Sequence, residues 1–87
     1  MNVENNSTQF EQGGELMTET NKLKALIMKN GFTQESIAKA IGVTVATFNY
    51  KLHNKVEFKA SEIKKLSRLL YLSALEVDEI FFAENVE

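Results

Sequence analysis

The 87 residues are 44% hydrophobic and 25% charged, with ten Lys/Arg, twelve Asp/Glu, one histidine and no cysteine; such a chain holds one small domain that buries only about 60% of its unfolded surface, which favours an all-helical fold with short connections, reinforced by self-association. With no cysteine and His53 alone, disulfide frameworks and His/Cys metal clusters are excluded, and apolar runs of at most four residues, such as Ala25 to Met28, exclude a signal-peptide core or membrane span and point to the cytoplasm. The acids crowd residues 1–20 and 72–87, whereas all ten bases lie in 21–71 against Glu35, Glu57 and Glu62, a distribution that fits a surface facing a polyanion and equally well a solvated, lysine-rich helical face.

Residues 1–16 are polar, rich in Asn, Gln and Gly, and without hydrophobic period, so the expected division is a disordered tail over 1–19, a folded domain over 20–83 and a C-terminal tail over 84–87. One codon choice for Gln12-Gly13-Gly14-Glu15-Leu16-Met17 is a purine-rich ribosome-binding sequence before an ATG, which makes a translation start at Met17 a second account of that tail. From Thr20, the spacing of Leu23, Leu26 and Ile27 predicts a helix over about 20–30, stopped by Asn30-Gly31. Thr33 then caps a second helix with Ile37, Ala38 and Ile41 inward, ended by Gly42 in a left-handed conformation. Thr44 caps a third, whose inward residues are Phe48 and Leu52 with Val43 packing just before it; residues 45, 46, 49 and 50 point outward, and Asn54 is a left-handed terminator. A fourth helix over about 60–70 presents Ile63, Leu66, Leu69 and Leu70, and Ser73-x-x-Glu76 is a capping box for a short fifth through Val77, Ile80 and Phe81. No stretch alternates as a strand.

The second and third helices, joined by the few residues around Gly42, have helix-turn-helix spacing. Ala38 is small where the two helices approach, Gly42 permits the sharp turn, and Ile37, Val43 and Phe48 hold the pair to each other and to the first helix. A plain helical hairpin has the same pattern.

The stretch FTQESIAKAIGVTVATFNYKLHNK (32–55) resembles the helix-turn-helix of the Cro/cI-type, or XRE, family, whose usual form runs T-Q-E-x-L-A-x-x-x-G-V-S-x-x-T-I-S. EFKASEIKKLSRLLYL followed by EIFF is similar to the fourth and fifth helices of small phage and prophage regulators, so the resemblance spans about residues 20–83. It implies an all-α, five-helix, lambda-repressor-like DNA-binding domain that binds double-stranded DNA as a homodimer on inverted repeats and represses transcription.

Carried over position by position, the resemblance makes Gln34 a phosphate clamp at the start of the second helix, or else an exposed helix-start residue. Val45 and Ala46 stand where the family often has base-reading polar residues and here offer apolar contact to thymine methyls. Asn49 suits a bidentate contact to adenine, and Tyr50 stacking on a methyl or donation to a phosphate; both also make sense as solvent-facing bystanders. Thr44 and Thr47 suit phosphates, although Thr44 is also explained as a cap, and Lys55, with His53 and Asn54, is expected to meet the DNA backbone. Lys51 departs from the family's bulky apolar residue: either its stem packs while its ammonium reaches toward DNA, or the helix is rotated from this register. Lys59, Lys64, Lys65 and Arg68 add charge around the helix; for Lys64 and Lys65 a solvated face explains it equally well.

Phe81 and Phe82, about 100° apart on a helix, cannot both face one small core. With Ile80 they suggest a twofold patch for a dimer with reading helices about 34 Å apart, or else Phe82 covers the first or fourth helix of its own chain. No dinucleotide or phosphate-loop motif and no nucleophile with a base partner is present, so neither enzyme activity, nor a cofactor, nor a small-molecule ligand is expected. The rival to DNA binding is a protein-binding adaptor or antirepressor that uses the uncharged face Val45-Ala46-Tyr50.

Overall fold

The structure, a computed structural model, describes residues 15–85. Among them run five helices, α1 (Thr20–Lys29), α2 (Gln34–Ile41), α3 (Val45–Leu52), α4 (Ala60–Leu69) and α5 (Ala74–Phe81), and a short antiparallel ribbon of β1 (Glu15–Met17) paired with β2 (Ala83–Asn85). The domain is all-α apart from that ribbon.

Local chemistry explains where the helices start. The Thr33 hydroxyl accepts the Ser36 N–H at 3.0 Å while Ser36 Oγ accepts the Thr33 N–H at 2.9 Å, so serine does here what Glu or Gln does in the usual capping box. Thr44 accepts from the Thr47 N–H at 3.1 Å to open α3, and Ser73 and Glu76 form the reciprocal box at α5. The ends follow one rule. Helices α1 to α4 each run into a residue of positive φ, Gly31, Gly42, Asn54 and Tyr71. The next N–H then reaches back five residues: Phe32 to Ile27, Val43 to Ala38, Lys55 to Tyr50 and Leu72 to Ser67, at 2.8–3.0 Å. Four orphan carbonyls are satisfied in this way and the chain is turned sharply each time.

Gly42, at φ 86°, sets the turn between α2 and α3, and a Cβ there would meet only the tip of Lys65, 4.0 Å away. Gly42→Ala is therefore expected to lose about 1–2 kcal/mol from backbone strain alone, read as a lower urea midpoint with an unchanged slope.

The core gathers Leu23 and Ile27 of α1, Ile37, Ala38 and Ile41 of α2, Phe48 and Leu52 of α3, Leu66 of α4, Leu70 just beyond it, and Ile80 and Phe81 of α5. Phe58, from the loop between α3 and α4, joins them edge-on to Phe48 (ring centroids 5.8 Å apart) and to Phe81 (5.4 Å).

Residues 15–19, expected in the tail, belong to the folded unit. β1 pairs with β2, the Thr18 N–H donates to Asn54 Oδ1 at 2.7 Å, and the Glu19 N–H donates to the Ile80 carbonyl at 2.6 Å. At the other end, residues 84–85, expected in the C-terminal tail, form part of β2. The expected disorder of residues 1–14, the possibility that translation begins after them, and residues 86–87 lie outside the described residues.

Candidate functional site

Because Phe48 and Leu52 sit i and i+4 on the buried face of α3, the opposite face is left to solvent. Val45 and Tyr50 are about half exposed, at 48% and 52%, and Ala46 and Asn49 are exposed beside them. Gln34, the first residue of α2, lies next to this face: Asn49 Nδ2 donates to Gln34 Oε1 at 3.4 Å. The fold thus brings together two site residues fifteen positions apart, at the meeting of the α2 N-terminus and the middle of α3. The free N–H groups of the α2 start give that corner a positive potential.

Thr44 is exposed and Thr47 half-buried, and their hydroxyls are engaged with each other at 3.0 Å as well as in the cap of α3. His53 and Lys55 are exposed just beyond the C-terminus of α3. The Asn54 side chain, expected at the DNA backbone, is instead closed onto Thr18: it accepts that residue's N–H and donates to its carbonyl at 2.9 Å. Lys59, Lys64, Lys65 and Arg68 are exposed, and the Lys65 ammonium reaches the Ile41 carbonyl at 3.5 Å, where a cation meets the negative end of α2.

Lys51 must be corrected. It was expected to contact DNA, but it is only 4% exposed and fills the third corner of the buried stripe Phe48, Lys51, Leu52. Its ammonium donates to both carboxylate oxygens of Glu62, at 2.6 and 2.7 Å, in the one ion pair among the described residues. Glu62 also accepts the Lys59 N–H at 2.9 Å. Burial alone would raise the Glu62 pKa, but the hydrogen bonds from Lys51 and the Lys59 backbone and the positive charges of both lysines outweigh it and hold the carboxyl below its ordinary value. The physical reason for the correction is that a charged group can occupy a core position once its counter-ion is buried with it. Helix α3 itself therefore presents no cation.

The expected dimer patch is also redrawn. Ile80 and Phe81 are 2% and 5% exposed, inside the core, because α5 turns that edge toward Phe58 and α1. Phe82 is 43% exposed and lines a groove with Leu16 and Val56, themselves 54% and 49% exposed. Sequence reasoning missed Leu16 and Val56, as it missed Glu62 and Phe58; for Glu62 a signal existed, since a lysine where the resemblance implies an apolar residue calls for a buried acid nearby.

Among the described residues no helix is long and apolar enough to cross a membrane. No curated protein matches the chain. A family model described as "Protein of unknown function (DUF739)" matches residues 17–84, a span that takes in all five helices. The chain belongs to the DUF739 family.

Proposed function

We propose that the chain is a sequence-specific double-stranded-DNA-binding regulator of transcription, a repressor of the Cro/cI type with a lambda-repressor-like domain, acting as a homodimer on an inverted repeat. The observation that carries this is the uncovered face of α3, Val45, Ala46, Asn49 and Tyr50, held beside Gln34 across a left-handed turn at Gly42. Val45 and Ala46 meet thymine methyls, Asn49 bonds an adenine edge, and Tyr50 and Gln34 reach methyl or phosphate groups. Affinity then comes from lysines outside the reading helix, Lys55 foremost, and base choice leans on A·T methyl groups and duplex shape. The groove of Leu16, Val56 and Phe82 is the apolar surface available for the twofold contact.

Selection of duplexes from a random pool by the full chain at near-physiological salt tests this. Enrichment of an inverted repeat with half-sites about one helical turn apart is the expected result; a folded protein that enriches nothing overturns it. On the enriched site, Asn49→Ala is expected to relax one base position and cost about 1–3 kcal/mol, whereas Lys55→Ala weakens all duplexes alike and lowers the salt slope by about one. Equal losses on selected and random duplex for Asn49→Ala would remove its assigned role.

One observation favours a second function. With Lys51 buried, the outward face of α3 is uncharged and partly apolar, as a protein-docking face of an adaptor or antirepressor would be. Salt separates the two, because DNA affinity falls steeply with log[salt] and an apolar protein contact hardly responds.

A further inference from the structure

We infer that Lys51 and Glu62 are positioning residues for the exposed face of α3: their buried pair sets how the helix is turned about its own axis, and hence which side chains meet a duplex. This role rests on the DNA-reading function proposed for α3. Three observations carry it. The pair replaces the apolar contact that would complete the stripe of Phe48 and Leu52, although both of its side chains are almost fully buried, 5% and 7% exposed. Exchanging such a pair for well-packed apolar groups is often neutral or stabilising, so stability does not account for its presence, and fixing one register is the best-attested use of buried polar groups. Second, the pair is directional. Hydrophobic attraction is non-directional, but Lys51 reaches both oxygens of a carboxylate that is itself pinned at the start of α4 by the Lys59 N–H. Third, apart from the Asn49–Gln34 contact at 3.4 Å on the exposed face, the side-chain bonds that tie this part of the chain to distant residues lie at the same end of α3 as the pair: Thr20 Oγ1 donates to the Leu52 carbonyl at 2.7 Å, and Asn54 clasps Thr18.

Geometry shows why this matters. The outer side chains ride about 5–6 Å from the helix axis, so a turn of about 20° moves them about 2 Å, more than a bidentate hydrogen bond between Asn49 and a base tolerates. The loop that leaves α3 also carries His53 and Lys55 before it returns to Glu62, so the pair closes the segment that presents them.

The test uses the full-length K51M/E62M variant, which removes both charges together. Backbone amide residual dipolar couplings report the orientation of α3 against the other helices, and affinities for the selected and the random duplex report discrimination. The expected result is a folded protein whose α3 couplings no longer fit the wild-type orientation, with the selected-to-random ratio reduced about tenfold or more and random-duplex affinity unchanged. Couplings that fit the wild-type orientation, or an unchanged ratio, overturn the inference. If the wild-type chain selects no duplex, the DNA function fails by itself, and the α3 couplings still decide the positioning role. Should K51M/E62M not fold, K51M/E62Q keeps the acceptor for the Lys59 N–H without a bridge to α3, and the same two results decide.

Discussion

Truncation of Phe48 to alanine is expected to bring the domain to the edge of unfolding. Its ring is fully buried at the point where α3 meets the core, and it lies edge-on to Phe58, which lies edge-on to Phe81. Removing a buried phenylalanine costs about 3–5 kcal/mol in lost transfer energy and residual cavity, and the aromatic contact adds about 0.5–1.5 kcal/mol. A domain this small has a total stability near the lower end of the usual range of about 5–15 kcal/mol. The transfer and cavity loss alone corresponds to a fall of roughly 12–40 °C in melting temperature, to which the aromatic contact adds. Thermal melts followed by circular dichroism check this. A loss below about 1.5 kcal/mol, well short of the cost of a lasting cavity, would show that Phe58, held only by its loop, swings into the space.

The contrast between Phe48 and Phe58 illustrates what the sequence makes legible. Phe48 was recognisable as core because Leu52 follows it by four residues on a helix whose cap, Thr44, and terminator, Asn54, are local signals. The five helices, and the limits of α2 and α3 most clearly, follow from cues of this kind, which act within a few residues of chain. Phe58 sits in a short loop with Val56 and charged neighbours, where no helical period applies. The ribbon is invisible for a related reason: its strands are three residues each, too short to alternate, and each depends on the opposite end of the chain. Tyr71 ends α4 at φ 56° with neither glycine nor asparagine, so the signal for a left-handed residue is missing; the flanking Leu70 and Leu72 pack into the core and carry the turn. At the candidate site, the exposure of Val45, Ala46, Asn49 and Tyr50 follows from the helix period, whereas the contact of Asn49 with Gln34 depends on the angle between two helices. Lys51 is the instructive case. The family resemblance implies an apolar residue there, its charge suggested the surface, and its partner Glu62 is legible only as part of a different helix.

Replacement of Lys51 alone by methionine separates charge from packing. Methionine fills the corner between Phe48 and Leu52, but the Glu62 carboxylate stays buried with only the Lys59 N–H to accept from. Removing one partner of a buried pair costs about 3–5 kcal/mol, because a buried charge is left uncompensated. The dependence on pH identifies the cause. In the wild type, the lowered Glu62 pKa means that this group contributes stability above the ordinary glutamate value of 4.5, and the contribution is lost as pH falls through the lower folded value. Without the lysine, two of the influences that lower the Glu62 pKa are gone while burial still raises it, so the folded value rises from its wild-type position and the stability that this group contributes above 4.5 shrinks. Urea unfolding is therefore expected to show the full gap between wild type and Lys51→Met near neutrality and a gap that shrinks steadily as the pH is lowered through the acid range, where the carboxyl protonates earlier in the variant than in the wild type. A gap of constant size across that range would assign the loss to the lysine stem's packing rather than to the unpaired carboxylate, and the directional role of the pair would lose its electrostatic basis.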